Sequence, residues 1–540
     1  MQEQVFEKGI QIESDTFYRA AESRYDFYVE DTIESDNQEY FSQTNKSADG
    51  FHRVAFLLKD LKNVVLDFGG ATLMFHGRII PFILDACENV TLKNFKVDYD
   101  RPFYTQASVL ECDSQHMKIH IDEGFTYRVD GGYLYAVSDT WEKNLNRDDC
   151  LLWLYDRTGV KEYGIILALF GPEIFPGDNP PLPIGQILVE EDGKDLLLKG
   201  EFPKDWSYND GKNSLVFTHE VRDKNTITLV GCTDIYIENF ILIHGAAMGI
   251  MAMGSENIYI DHFDMYMDYE GNKRLVTNNA DAIHLYHCTG KFVLKNSYME
   301  GLLDDTVNVH NNYLRVKEGK GKRLVLKSEA KGIDLHCKIC SEGDTIAVYR
   351  GRTQELKGYY KICKTDIDEK NRLYLYDLDR ETEGIEAGDI IENRSSHPEI
   401  LLDHCIFGRF RGTMRLQSRN KTVVRSCEFR NKQTAILFTG DTTYWYESGP
   451  VNDFTIENCK FYHADDLARL DFAGEVEFTE KERYYHKNIT VKNCYFDGGK
   501  AAVLRHVDNF IFEGNTVTSP IEIETLDCGN VRIEMESKSF

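Results

Sequence analysis

Three aspartates in two short segments have the residue type and spacing to carry out chemistry. Asp281 ends the run Asn-Asn-Ala-Asp, and Asp304 and Asp305 stand together 24 residues further on, counted from Asp281 to Asp305. The residues that follow correspond as well, Asp-Ala-Ile-His-Leu to Asp-Thr-Val-Asn-Val. If both segments lie at one strand edge, their charges repel and raise at least one pKa. A proton donor beside a proton acceptor is what hydrolysis of a glycosidic bond requires.

A repeat supplies the strands that would position these aspartates. Each unit has an Asn/Asp/Ser/Lys-type start, three residues that are apolar at the first and third positions, a polar residue, and then Asn or His. Its clearest copies start at Asn89, Asp234, Asn257, Lys291, Glu399, Lys421, Asp453, Asn488, Asn509 and Asn530. Several steps between starts are 21 to 23 residues, a period that indicates a solenoid. A leucine-rich repeat is excluded because its leucine consensus is missing. We therefore predict an all-β fold, a right-handed parallel β-helix.

Stacked coils place equivalent residues in columns. Asparagines at the strand ends are expected to form a hydrogen-bonded ladder (Asn94, Asn239, Asn296, Asn458, Asn493), and cysteines a packed internal column (Cys405, Cys427, Cys459, Cys494). A phenylalanine follows each of these cysteines by two residues. With this explanation, the 13 cysteines indicate neither a disulfide framework nor a zinc site.

Two stretches lack the repeat and show short alternating strands instead. We predict inserted antiparallel, barrel-like β modules at 105–225 and 313–395. The β-helix then comprises 51–104, 226–312 and 396–540 and carries the site, and residues 1–50 form an N-terminal capping segment.

Polar side chains on the alternate, outward face of the strands are candidate substrate ligands. His284, Asn308 and His310 lie beside the aspartates, and Arg415 continues the strip on a later coil. The aspartates themselves are open to another interpretation as turn or strand-capping residues, and Arg415 as part of a solvated strand face. The shared coil position favours a functional role for the aspartates.

The segment Thr442–Gly449 adds two further candidates. Trp445 lies in a polar turn and has the flat apolar ring that stacks on a sugar, and Glu447 can accept hydrogen bonds from sugar hydroxyls. Packing of the aromatic residues Tyr444, Trp445 and Tyr446 is the competing explanation.

The overall charge limits the classes of molecule that the protein is expected to bind. A formal net charge of −27 repels phosphate backbones and anionic surfaces, which argues against nucleic acid, membranes and polyuronates. Neutral sugars are compatible, and so is a homo-oligomer. The first residues have neither a basic nor an apolar leader region, so we expect a cytoplasmic protein, or a periplasmic or secreted one whose leader was removed.

Several motifs together resemble the α-1,3-galactosidases of glycoside hydrolase family 110. They are His76-Gly-Arg-Ile-Ile-Pro with the coil after it, Asn-x-x-Asp281 with Leu-Asp304-Asp305, and Gly440-Asp-Thr-Thr-Tyr-Trp-Tyr-Glu-Ser-Gly. The two β insertions are also similar to that family, and the resemblance runs from about residue 50 to the C-terminus. It implies hydrolysis of terminal α-1,3-linked galactose with inversion and without a metal or other cofactor. It also implies Asp304 as the general acid and Asp281 with Asp305 as the general base.

The alternatives are a polygalacturonase-like hydrolase and a glycan-binding β-helix without catalysis. The first would add Gly-His-Gly and Arg-x-Lys motifs downstream, which the later coils lack. The second has no reason for crowded acids, and a bell-shaped pH profile would distinguish it from a hydrolase. Because strict strand alternation would turn Asp304 or Asp305 inward, we also predict a bulge or turn there.

Overall fold

The computed structural model describes residues 1–37, 40, 51–146, 152–156, 166–168, 187–202, 213–219, 222–267, 274–330, 335–408, 412–431, 433–438, 440–462, 467–473, 483–518 and 520–537. Regular structure in these ranges is all strand except for the 3-10 helix Val29–Asp31. Part of the predicted capping segment, residues 38–39 and 41–50, lies outside them. Within these ranges no helix is both long and apolar enough to cross a membrane.

Two sheets run the length of the molecule, and their successive coils pair in parallel, which confirms the predicted β-helix. The strands of the larger sheet are Gln2–Phe6, Thr16–Ala20, Arg24–Tyr28, Lys62–His76, Glu88–Tyr99, Thr233–Leu242, Glu256–Met265, Thr289–Lys295, Tyr298–Met299, Glu399–Asp403, Ile406–Phe407, Thr422–Arg425, Glu428–Phe429, Phe454–Glu457, Lys460–Phe461, His486–Lys492, Tyr495–Phe496, Val507–Val517 and Gly529–Ser537. This sheet contains the repeat motif and therefore serves as the scaffold.

The second sheet carries the site. Its strands are Ile33–Ser35, His52–Lys59, Ile80–Asp85, Ile227–Val230, Ile250–Met253, Ile283–Tyr286, Val307–Asn312, Met414–Leu416, Ile436–Leu437, Leu470–Phe472, Gly499–Arg505 and Ile521–Leu526, with Glu447–Ser448 paired antiparallel to Val307–Asn312. The main core fills the space between the two sheets.

Left-handed residues let the chain turn at the ends of each repeat motif. Asn94 and Asn239 have φ of 58° and 51°, a conformation that asparagine tolerates better than most residues. Asn239 Nδ2 donates to Asn94 Oδ1 over 2.9 Å, as the predicted ladder requires. A second ladder, which we did not predict, joins the first residues of the units; in it Asn89 Nδ2 donates to Asn63 Oδ1 over 2.8 Å.

The predicted columns of cysteine and phenylalanine are confirmed in the core. The rings of Phe429 and Phe461 stack with centroids 4.7 Å apart, and those of Phe461 and Phe496 with centroids 4.8 Å apart. Cys427 and Cys459 are free thiols, both buried. Aromatic and sulfur side chains thus fill the interior coil by coil.

The first stretch without repeats forms antiparallel sheets. A seven-stranded sheet consists of Tyr104–Cys112, His116–Ile121, Leu152–Asp156, Ile166–Ala168, Leu188–Asp192, Asp195–Lys199 and Asn213–Thr218. A three-stranded meander consists of Tyr127–Asp130, Tyr133–Val137 and Glu142–Asn144. The second stretch is a closed six-stranded barrel of Leu314–Lys320, Arg323–Ser328, Thr345–Arg350, Glu355–Asp368, Leu373–Leu378 and Ile390–Asn393.

Candidate active site

Coil register brings Asp281 and Asp305 to one edge of the second sheet. The strands that follow them pair in parallel, with His284 opposite Asn308. The amide of Ala282 donates to the carbonyl of Asp305 over 3.0 Å. The two aspartates therefore occupy equivalent positions on neighbouring coils, about 4.8 Å apart in the direction of the sheet's hydrogen bonds.

Asp304 and Asp305 lie in a bend that ends where strand Val307–Asn312 begins, so the predicted turn is confirmed. The bend frees both side chains from strand alternation. One carboxylate oxygen from each of Asp281, Asp304 and Asp305 lies within 4.8 Å of the other two. A divalent cation could span such a spacing, but the chain itself places two guanidinium groups beside these acids.

Asp281 is the most deeply buried of the three. Its Oδ2 lies 2.5 Å from Nδ1 of His284, whereas its buried Oδ1 has no hydrogen-bond partner among the described residues. Burial, together with the negative charge of Asp304, raises the pKa of Asp281 well above its usual range. The environment of Asp281 therefore favours the protonated form of this carboxyl.

Asp305 is paired with Arg415, whose Nε donates to Oδ2 over 2.8 Å. Burial raises the pKa of Asp305 to about 8, even though the charge of Arg415 acts in the opposite direction. The charges of Asp304 and Asp281 add to the increase. Because the charges of Asp281 and Asp305 interact, these two carboxyls titrate as a pair.

Asp304 is the most accessible of the three, with 31% of its side chain exposed. A guanidinium nitrogen of Arg222 lies 3.6 Å from its Oδ2. The same guanidinium lies 5.4 Å from the ring centroid of Trp445, within cation–π range. Arg222 thus connects the acid to the aromatic residue that we singled out as a sugar platform.

Two histidines extend the site behind Asp281. His284 Nε2 lies 2.9 Å from His310 Nε2, and His310 Nδ1 lies 2.8 Å from the carbonyl oxygen of Asn311. Burial lowers the pKa of each imidazole to about 4. Both ring nitrogens of each histidine are thus engaged within the protein, which leaves neither histidine a free ring nitrogen for a sugar.

Glu447 closes the same network from the antiparallel strand Glu447–Ser448. Its Oε1 accepts from Asn308 Nδ2 over 3.3 Å and lies 3.7 Å from His310 Nε2. Although burial alone would raise it, His310 and Arg415 hold the pKa of Glu447 below its usual value. Gln417 Nε2 lies at 3.5 Å from Oε2.

The outward strip is not a solvated face. His284, Asn308 and His310 are 2%, 3% and 3% exposed, because strand Glu447–Ser448 and the barrel cover them. Met253 and Tyr286 of the second sheet share a buried cluster with barrel residues. Sequence alternation gave the direction of these side chains correctly but could not show what covers them.

The antiparallel sheets of the first insertion pack on the other side of the aspartates. Leu303 and Val276 belong to a buried cluster with Val109 and Leu215 of the seven-stranded sheet. The three aspartates therefore lie between the two inserted modules, with Asp304 towards the first.

Arg222 and Asp441 are site residues that sequence reasoning missed. Arg222 comes from the end of the first insertion, where no repeat predicts its position. The carboxylate of Asp441 accepts from the backbone amides of Thr443, Tyr444 and Trp445 and so holds the turn that presents Trp445. An Asp followed by two Thr is a recognisable turn signal, which could have identified this role.

Comparison with known proteins points to one group. No protein-family model matches the sequence. The α-1,3-galactosidase B of Bacteroides thetaiotaomicron is 26% identical over 92% of this chain and 79% of its own length. The α-1,3-galactosidase B of Phocaeicola vulgatus is 27% identical over 92% of this chain and 82% of its own length. The α-1,3-galactosidase A of Shewanella woodyi is 26% identical over 87% of this chain and 74% of its own length.

Among solved structures, the family 28 exopolygalacturonase of Yersinia enterocolitica covers 96% of this chain and 70% of its own. Its TM-score of 0.33 and identity of 10% are too low to carry an argument. The sequence relatives are more informative, since each matches 87–92% of this chain. The resemblance to the α-1,3-galactosidases of glycoside hydrolase family 110 that the motifs indicated is therefore confirmed along most of the chain.

Proposed function

We propose that this protein is an exo-acting α-1,3-galactosidase that releases terminal α-1,3-linked galactose from oligosaccharides or glycoconjugates. The names of its relatives support the activity. The observation that carries the proposal is that carboxylate oxygens of Asp281, Asp304 and Asp305 lie within 4.8 Å of one another, in unequal environments. Unequal environments drive the pKa values of neighbouring carboxyls apart, which general acid–base catalysis requires.

In the proposed mechanism, Asp304 protonates the glycosidic oxygen as the bond to the anomeric carbon breaks. Asp281 and Asp305 together take a proton from the water that attacks this carbon from the opposite side. The product galactose then has the inverted, β configuration. Arg415 and Arg222 stabilise the negative charges that remain on the aspartates.

The raised pKa values set a condition on this assignment. Burial raises the pKa of Asp305 to about 8 and that of Asp281 well above its usual range, which favours the protonated form of both carboxyls. A carboxyl that already holds a proton cannot accept one from water. At least one of the pair must therefore lose its proton before the chemical step.

The spacing of the acids makes the stereochemistry worth measuring directly. Inverting enzymes usually separate acid and base by ~6.5–9.5 Å, and retaining enzymes by ~5–5.5 Å. The closest oxygens in this site lie within 4.8 Å of one another. An inverting reaction therefore requires the substrate to draw Asp304 away from the base, or the water to lie beside the cluster.

The test is sugar release from linear Galα1-3Gal and from the blood-group B trisaccharide, with NMR of the first anomer. We expect β-galactose first, and a loss of about 10²–10⁴-fold in kcat for Asp304→Asn. Asp377→Asn is the matched control, since this barrel carboxylate also pairs with an arginine and is 32% exposed, against 31% for Asp304. Absence of galactose from both substrates would contradict the proposal, and α-galactose first would contradict inversion.

A further inference from the structure

The hydrogen bonds behind Asp281 have a direction that the geometry fixes. A backbone carbonyl only accepts, so His310 Nδ1, 2.8 Å from the carbonyl oxygen of Asn311, must have a hydrogen. In a neutral imidazole the other nitrogen is then an acceptor. His310 Nε2 therefore accepts from His284 Nε2 over 2.9 Å.

The tautomer of His284 in turn determines the hydrogen position at the Asp281 carboxyl. With its hydrogen on Nε2, neutral His284 has an acceptor at Nδ1. Asp281 Oδ2, 2.5 Å away, must then be the donor. With both imidazoles neutral, as their lowered pKa values of about 4 indicate, the carbonyl of Asn311 thus sets the positions of three hydrogens and leaves a proton on Asp281.

We propose that His284 and His310 form a proton relay that removes this proton from Asp281, so that Asp281 can act as a base. The inference rests on the proposed function and deepens it. Both histidines are then positioning residues that act through Asp281, instead of the sugar ligands that the sequence indicated.

This proton transfer needs no group from outside the protein. The carboxyl proton moves from Asp281 Oδ2 to His284 Nδ1 while the Nε2 proton of His284 moves to His310 Nε2. The result is an Asp281 carboxylate, a neutral His284 in its other tautomer, and a His310 imidazolium. Glu447 Oε1, 3.7 Å from His310 Nε2, supplies the opposite charge.

The cycle closes after hydrolysis. Water gives its oxygen to the anomeric carbon and one proton to Asp281 Oδ1, while Asp304 gives its proton to the departing sugar oxygen. The proton taken from water first passes from Asp281 Oδ1 to the Asp304 carboxylate. The relay then shifts back: His310 returns a proton to His284, and His284 returns one to Asp281 Oδ2, so that all groups regain their starting states.

Two observations support a relay over a static bond network. Oδ1 of Asp281 is buried and has no partner among the described residues, as expected for an oxygen that exchanges a proton with a bound water. Glu447 favours the far end of the relay, since its charge raises the pKa of His310, although burial, which lowers that pKa, is the larger influence. The charged and titratable groups that face the relay are Arg222, His287, Asp304, Asp305, Arg415 and Glu447.

The first test exchanges His310 for glutamine. The amide of the new side chain can accept the hydrogen bond of His284 and donate to the Asn311 carbonyl, but it cannot bind a further proton. We therefore expect His310→Gln to keep KM within about twofold, to lower kcat about 10²-fold and to move the acid limb of the pH profile. His287→Asn is the control, because His287 is equally buried at 3% exposure and lies outside the relay.

If His310 has only a structural role, the glutamine in His310→Gln should preserve both kcat and the pH profile. If His310→Gln retains the kcat and pH profile of the wild type, the relay is wrong. If His287→Asn loses kcat to the same extent, the loss reports damage to packing, and the relay is likewise rejected.

The second test does not depend on turnover. In the wild-type protein labelled with ¹⁵N-histidine, we expect neutral His284 with its proton on Nε2 and neutral His310 with its proton on Nδ1. The two signals are assigned by their loss in His284→Gln and His310→Gln. A His310 protonated on Nε2 alone would overturn the relay. The expected tautomers in a protein that releases no galactose would refute the proposed function but leave the hydrogen-bond direction standing.

Discussion

Arg415 and Asp305 form a partly buried ion pair of 2.8 Å across 110 residues of chain. The whole barrel is inserted between them, yet their strands are direct neighbours, with Asn308 opposite Arg415. When Asp305 is ionised, Arg415 balances one charge of an otherwise acidic cluster. Its removal should therefore change the chemistry of the site more than its architecture.

We expect Arg415→Met to raise the pKa of Asp305 further above about 8, because the guanidinium is the influence that lowers it. If Asp305 must be ionised to act, the acid limb of kcat/KM moves to higher pH. The pH dependence of galactose release measures this. Arg425→Met, which removes a comparable 2.7 Å ion pair to Asp403, should leave the profile unchanged. An unshifted limb in Arg415→Met would rule out ionised Asp305 as a base.

Trp445→Ala should weaken substrate binding. The ring lies 5.4 Å from the Arg222 guanidinium, and its removal takes away both a stacking surface and a cation–π contact of about 0.5–1 kcal/mol. We expect KM to rise several-fold with a smaller change in kcat, and Trp445→Phe to recover part of the loss. Initial rates over a range of substrate concentrations separate the two constants. An unchanged KM would mean that the ring only packs.

Phe461→Ala should destabilise the solenoid without altering the site directly. The ring stacks between Phe429 and Phe496 and is 1% exposed, so truncation leaves a cavity and costs about 3–5 kcal/mol. Phe461→Leu should cost less because it fills more of the volume. Urea unfolding followed by circular dichroism gives the shift in midpoint. Equal midpoints for Phe461→Ala and the wild type would contradict the packed column.

Arg419→Met should destabilise the junction between barrel and solenoid. Glu392 is fully buried, and although burial would raise its pKa, Arg419 and His397 hold that pKa well below the usual range. Loss of Arg419 leaves a buried carboxylate without its main partner, at a cost of about 3–5 kcal/mol.

The pH dependence of that loss has a definite sign. In the wild type, the stability that ionised Glu392 contributes is present above the ordinary Glu pKa of about 4.3 and is lost as pH falls. In Arg419→Met the carboxyl favours its protonated form, so the difference in stability should be largest at neutral pH and shrink in acid. Thermal unfolding across pH measures it, and Glu392→Gln combined with Arg419→Met should restore part of the stability. A difference that grows in acid would contradict this assignment.

The repeat allowed the parallel β-helix to be predicted from the sequence. A column of Cys405, Cys427, Cys459 and Cys494 requires stacked coils, and the 24-residue step from Asp281 to Asp305 places both at one edge. The bend at Asp304 also followed, since adjacent strand residues point to opposite faces.

What the sequence could not provide is what lies over the site. His284 and His310 alternate with apolar residues as a solvated strand does, and only the barrel and strand Glu447–Ser448 make them buried. Arg222 reaches Asp304 from an insertion that has no repeat, so its position depends on tertiary packing alone. The proposed roles of the aspartates stay predictions until the variants are measured.

The insertion of the barrel between paired coils also bears on how the protein folds. Strand Val307–Asn312 cannot complete its sheet until Met414–Leu416 arrives from beyond the barrel. Such non-local pairing is slow to form and leaves a sheet edge open in the meantime. During synthesis, the segment that carries the three aspartates is made first, and Arg415 follows only after the barrel. A chain that has not completed the barrel holds the three crowded aspartates without Arg415, so assembly of the candidate site depends on the folding of a module that contributes none of its aspartates.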